Sequence, residues 1–103
     1  MHQLVENSLT ELKSICGRYS VKRLELFGSA AIEDQFAPDT SDLDFLVEFQ
    51  SISPGEHAKA YFGLLQCLED LFHRHIDLVE IRAVSNPYFM ESVNRTRRLV
   101  YAA

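Results

Sequence analysis

The sequence predicts an α/β fold of the α+β kind, a small mixed β-sheet packed by helices. Two segments, Val21 to Phe27 and Leu43 to Phe49, carry strand patterning, and HIDLVEI at 75–81 reads as a third strand. Between the second and third lies a long amphipathic segment with a helix-start signature. The resulting order, α-β-β-α-β-α with a further short strand at the end, suits a sheet covered by helices.

Each element follows from its residues. Leu4, Val5, Leu9, Leu12, Ile15, Cys16 and Tyr19 recur at three- and four-residue steps, predicting one amphipathic first helix whose end Gly17 and Ser20 weaken. Val21 to Phe27 alternates Val21, Arg23 and Glu25 against Leu24 and Leu26, and Gly28 stops the strand. Ala30 to Ile32 suits a helical turn, and Ala37-Pro38-Asp39-Thr40-Ser41 a loop. In the second strand Leu43, Phe45, Val47 and Phe49 share one face, and Asp42, Asp44, Leu46 and Glu48 the other.

Ser53-Pro54-Gly55-Glu56 is a capping box with proline at the first helical position. It opens a helix whose Tyr61, Leu64, Leu65, Leu68, Leu71 and Phe72 form a core-facing stripe. Asn86 with Pro87 starts a further helix through about Arg97, and Leu99-Val100-Tyr101 closes the chain as a short strand.

At 103 residues, with no internal repeat or low-complexity segment, residues 1–103 are expected to form a single domain. A hydrophobic fraction of 47% with 24% charged residues is that of an ordinary globular protein. The net charge of −5 and the lack of a long basic run argue against an extended nucleic-acid surface, which needs clustered Lys and Arg. An acidic chain can still bind a polyanion if divalent metal neutralises both sides. The N-terminal MHQLVENSLTELKS carries no signal-like segment and no apolar run reaches membrane-spanning length, so a cytoplasmic location with no membrane contact is expected. Cys16 and Cys67 sit far apart among apolar residues and read as buried, reduced thiols.

Chemistry concentrates in LFGSAA and SDLDFLVEF, followed by IDLVE. Asp42 and Asp44, two residues apart on a strand, project from one face roughly 7 Å apart. Like charges that close favour an intervening cation, and hard oxygen donors select Mg²⁺ or Mn²⁺. Asp77 lies at the start of the third strand and joins the pair if that strand runs beside the second. Gly28-Ser29 offers close backbone approach, amide N–H groups and a hydroxyl to a phosphate. Singly, Gly-Ser is a common turn and Asp-x-Asp a common solvated motif. The second is no EF-hand loop, since Leu46 and Val47 stand where ligands and a glycine are required. The ordered set is much more specific than its parts.

With those motifs, the chain resembles the minimal nucleotidyltransferase domain of the DNA-polymerase-β-like nucleotidyltransferase superfamily, over nearly its whole length. The tail NPYFMESVNRTRRLVYAA also resembles the usual ending of these proteins. The resemblance implies the nucleotidyltransferase fold, with Gly28 and Ser29 holding the triphosphate of ATP and Asp42 and Asp44 coordinating two Mg²⁺ ions. Asp77 would bind the catalytic metal and help deprotonate an acceptor hydroxyl. It further implies AMP transfer to a tyrosine of a HEPN-type toxin, with this chain as antitoxin. Many relatives carry Arg-Gly shortly after Gly-Ser, where this chain has Ile32-Glu33, with acidic Asp34 next to it. That departure motivates a rival reading, a regulatory module that neutralises its partner by contact alone. A homo- or hetero-oligomer is expected in either case.

Other polar residues read as structural. His73 and His75 suit surface or capping roles, while His2 and His57 have no partner in sequence. Arg95, Arg97 and Arg98 suit the negative end of a helix dipole. Tyr61, Phe62 and Phe72 belong with the core.

Overall fold

The computed structural model describes residues 1–32 and 42–103. The predicted loop at Ala37–Ser41 and the acidic Glu33 and Asp34 lie outside the described residues. Within them the order is α1 (Gln3–Glu6), α2 (Leu9–Arg18), β1 (Val21–Phe27), a 3₁₀ turn (Gly28–Ala31), β2 (Leu43–Phe49), α3 (Pro54–Phe72), β3 (Ile76–Glu80), a 3₁₀ turn (Ile81–Ala83), α4 (Pro87–Thr96) and β4 (Arg98–Ala102).

The strands form one mixed sheet in the order β3-β2-β1-β4. β1 is antiparallel to β2 and to β4, and β2 is parallel to β3 through the α3 crossover. The predicted single first helix is instead two. Asn7 and Ser8, both poor in helix interiors because their side chains compete for backbone groups, form the break. There the Asn7 N–H donates to Gln3 O and the Ser8 N–H to Val5 O, ending α1 before α2 begins. At the far end of α2, Ser20 takes a left-handed φ of 58° to turn the chain into β1.

The main core lies on the sheet face that receives α2 and α3. There Leu24, Leu26, Leu43, Phe45 and Val47 meet Leu12, Cys16, Leu64, Leu68 and Phe72, and the Phe45 and Phe72 rings stack 6.1 Å apart. Ser53 caps α3 by accepting from the Glu56 N–H at 3.4 Å. At its other end His73 is left-handed and its N–H closes on Glu69 O, so it is a capping residue. Tyr61 donates its hydroxyl to Leu78 O at 2.7 Å, tying α3 to β3. Phe62 departs from expectation: its ring is 66% exposed, pointing away from the stripe that Leu64 and Leu68 define.

The opposite face carries α4 over a smaller cluster of Phe27, Leu46 and Val93, with Phe89 edge-on to Phe27 at 5.8 Å. Leu46 therefore has an apolar partner although it alternates with Asp44 and Glu48. Both cysteines are free; Cys16 is buried, which pushes its thiol up to about 12, whereas Cys67 is only half-buried and pairs with the Tyr19 hydroxyl at 3.3 Å. No helix among the described residues is long and apolar enough to cross a membrane.

Candidate active site at the start of β2 and β3

Antiparallel pairing places the end of β1 against the beginning of β2. Phe27, the last residue of β1, stands opposite Asp44, so the turn that follows sits directly over the Asp44 side chain. Gly28 meets two demands there. Its φ is +76°, in the left-handed region, and a β-carbon on it would lie 2.5 Å from Asp44 Oδ2. Only glycine satisfies both without displacing the carboxylate. Ser29 follows in the same 3₁₀ turn, half-buried, and its carbonyl accepts the Ile32 N–H at 3.1 Å.

Parallel pairing supplies the second carboxylate. Asp77 stands directly beside Asp44 in the β2–β3 register, and both project from the face that carries α4. Neighbouring strands lie about 4.8 Å apart, so the two carboxyls crowd each other. Partial burial, then the charges of Asp77 and Asp42, push the Asp44 carboxyl up to about 6, with His75 opposing the shift. Asp77 itself is exposed and open to an incoming group. Asp42 lies one residue before β2 and faces His75, whose Nδ1 is 3.2 Å from Asp42 Oδ2. The structure thus gathers Gly28, Asp44 and Asp77 tightly, with Ser29 on the turn and Asp42 at the rim.

Carboxylate oxygens are the hard donors that divalent ions such as Mg²⁺ select, and Mg²⁺ is usually held by one or two carboxylates plus substrate phosphates. Asp44 and Asp77 fit that chemistry: a cation between them would relieve their crowding. Among the described residues, no group of three or more His, Cys, Asp or Glu side chains is drawn into a ready-made metal cage.

Several contacts escape sequence reasoning. Thr96, the last residue of α4, accepts the Gly28 N–H on its Oγ1 at 2.9 Å. Glu25, expected on a strand's polar side, is 4% exposed and is gripped by Arg97 through Nη2 at 2.6 Å and Nε at 2.7 Å. Arg97 thereby departs from the dipole role, and its guanidinium holds the Glu25 carboxyl below the usual range despite burial. Arg98 keeps that role, donating to the Thr96 and Arg97 carbonyls, while Arg95 pairs with Glu91 at 2.7 Å. His57 and His2 also find partners, in Glu80 and the Leu4 N–H. The Gly28–Thr96, Glu25–Arg97 and His57–Glu80 pairings have no local signal, since each joins residues far apart in the chain.

A cleft of about 380 Å³ opens at the other end of β2, lined by Phe49, His57, Glu80 and Arg82 among others. Its polar side chains are already paired, His57 with Glu80 and Arg82 with Glu48 at 3.1 Å. It lies apart from the carboxylates.

A mixed sheet with apposed carboxylates at the start of two parallel strands, beneath a Gly-Ser turn, defines an α/β protein with an acidic candidate site at one end of its sheet. Residues 9–100 match the nucleotidyltransferase domain family, and the chain belongs to that family. A Methanocaldococcus jannaschii chain named as a protein adenylyltransferase is 31% identical over 94 residues, covering 84% of this chain and 91% of its own length. A second from that organism with the same name is 38% identical over 76 residues, 74% of this chain and 72% of its own.

Among solved structures, one described as a minimal nucleotidyltransferase superposes with a TM-score of 0.66 at 29% identity, covering 95% of each chain. A tri-AMPylated Shewanella oneidensis HEPN toxin in complex with MNT antitoxin gives a TM-score of 0.64 at 17% identity, over 96% of this chain and 73% of that one. A toxin-antitoxin structure with AMP-PNP gives 0.67 at 19%, over 92% and 73%. The last two likenesses establish the shared fold.

Proposed function

We propose that this chain is an Mg²⁺-dependent protein adenylyltransferase that transfers AMP from ATP to a tyrosine hydroxyl of a helical HEPN-type toxin, acting as its antitoxin in the cytoplasm. The observation that carries this reading is the in-register apposition of Asp44 and Asp77 beneath Gly28, with Asp44 raised to about 6 by burial and like charge. Relatives named as protein adenylyltransferases and the AMPylated toxin complex support the choice of nucleotide and acceptor.

In this reading Gly28 and Ser29 hold the triphosphate, and Asp42, Asp44 and Asp77 hold the metal. Bound Mg²⁺ would supply charge neutralisation for the triphosphate and the developing charge at the α-phosphate. Exposed Asp77 accepts the proton of the acceptor hydroxyl as its oxygen attacks the α-phosphorus. A new phosphorus–oxygen bond forms, the bond to the β-phosphate bridging oxygen breaks, and pyrophosphate leaves with that electron pair. The rigid mount of Asp44 on a buried strand keeps the acceptor and phosphate in line.

The test is to incubate the protein with its toxin, Mg²⁺ and ATP labelled at the α-phosphate. Label should appear on the toxin and vanish with Asp44→Asn or Asp77→Asn. No transfer by wild type, or equal transfer by an Asp42→Asn/Asp44→Asn variant, sinks the enzyme reading. Ile32-Glu33 in place of Arg-Gly favours one rival, neutralisation by contact alone. Under that rival the double Asn variant still folds and still protects co-expressing cells.

A further inference from the structure

The Gly28-Ser29 turn is held from two sides. Asp44 occupies the space where a β-carbon would be, and Thr96 takes up the Gly28 N–H at 2.9 Å. Thr96 is itself anchored. Its hydroxyl donates to Val93 O at 3.4 Å, leaving a lone pair for the Gly28 amide. The next residue, Arg97, locks onto buried Glu25 of β1 and onto Asn94 Oδ1 at 2.6 Å. Glu25 lies on β1, three residues before Gly28, so the end of α4 is fastened to β1 and to the turn that β1 runs into.

A left-handed glycine can leave that conformation at little steric cost. Something must therefore hold the turn. Asp44 does so only by contact, and a carboxylate engaged elsewhere is free to shift. The Thr96 hydroxyl is the directional restraint, and it consumes an N–H that would otherwise be free to turn toward a phosphate.

We propose that Thr96 is the positioning residue of the Gly28-Ser29 turn: by accepting the Gly28 amide it fixes how Ser29 is presented to the triphosphate. This rests on the reading of Gly28 and Ser29 as the triphosphate-binding turn. A hydrogen bond of this kind is worth about fivefold in an equilibrium constant.

The test compares Thr96→Val, which keeps shape and removes the acceptor, with Thr96→Ser, which keeps the hydroxyl. Gly63→Ala, at the remote α2–α3 contact, serves as the control for lost stability alone. Amide hydrogen exchange at Gly28 should accelerate in Thr96→Val and return to wild type in Thr96→Ser. The dissociation constant for Mg²⁺–ATP should rise about fivefold in Thr96→Val, stay within about twofold in Thr96→Ser, and remain unchanged in Gly63→Ala. Wild-type affinity in Thr96→Val overturns the inference, as does an equal loss in Thr96→Ser. A wild type that binds no Mg²⁺–ATP overturns the nucleotide reading, and this inference with it.

Discussion

Asp44 Oδ2 stands 2.5 Å from the place a β-carbon on residue 28 would occupy, so the strand carboxylate and the turn are fitted to each other through a missing side chain. Gly28→Ala is therefore expected to act twice. Holding alanine at a φ of +76° costs about 1–2 kcal/mol in stability. The methyl also drives the Asp44 carboxylate aside, and displacement of a reacting group by about 1 Å can lower turnover about 100-fold. Thermal melting and AMP transfer measured on one preparation separate the two effects. A variant that loses stability but transfers normally contradicts the fitted-pair account.

Crowding at Asp44 has a signature in pH. Its carboxyl titrates at about 6 in the folded chain against an ordinary 3.8. The folded state thus binds the proton more tightly than the unfolded state. Its stabilising contribution is complete below the ordinary value and is lost as pH rises through the folded one. Without divalent ions, wild type should lose stability between about pH 4 and pH 6.5 through this group. Asp44→Asn should lack that component and melt higher than wild type near neutral pH. Adding Mg²⁺–ATP should restore wild type, since a ligand of the native state raises apparent stability, and should leave the variant unmoved. Identical pH slopes in the two proteins would contradict the crowding.

The Glu25–Arg97 pair titrates in the opposite sense. Arg97 keeps the Glu25 carboxyl below its ordinary 4.5, so this contribution is present above that value and lost as pH falls through the lowered one. Arg97→Ala leaves a buried carboxylate with Arg23 as its remaining partner, 3.0 Å away. Urea unfolding near neutral pH should show a loss of about 2–3 kcal/mol, the worth of the charged hydrogen bonds removed. The gap from wild type should narrow in acid, where Glu25 is protonated in both proteins. A constant gap at all pH values would argue against the pair.

Gly63 tests packing away from the carboxylates. A β-carbon there would approach Tyr19 Cε1 to 2.3 Å, because α2 lies against α3 through that ring. Gly63→Ala gains about 1 kcal/mol in helix propensity, yet overpacking of this kind costs about 1–3 kcal/mol. The expected result is a net loss in melting temperature with nucleotide binding intact. A stabilised variant would mean that the Tyr19 ring swings clear.

Much of the layout is legible in the chain because it is locally encoded. The alternation in LDFLVEF, the Ser53 box and the Asn86-Pro87 start each act within a few residues. The structure places β2, α3 and α4 accordingly, with Asn86 Oδ1 accepting from Tyr88 N–H at 2.9 Å. The break at Asn7-Ser8 was hidden by apolar residues that keep helical spacing on both sides of it. Phe62 misled differently: adjacency to Tyr61 says nothing about facing, and one residue is a 100° step around a helix.

By itself, then, the sequence determined the four strands, the helices α3 and α4, the Gly28-Ser29 turn and the family resemblance that joins them. Only the tertiary structure decided that Asp77 stands beside Asp44, that Thr96 holds Gly28, that His75 faces Asp42 and that Glu25 is buried against Arg97. The reason is register. Asp44 and Asp77 belong to strands joined by a 19-residue helix, and their alignment is set by how α3 seats Leu64, Leu68 and Phe72 on the sheet and pins Tyr61 to Leu78. A shift of one residue in either strand would turn one of the two carboxylates to the opposite face. Local propensity has no means of choosing between those registers; core packing does.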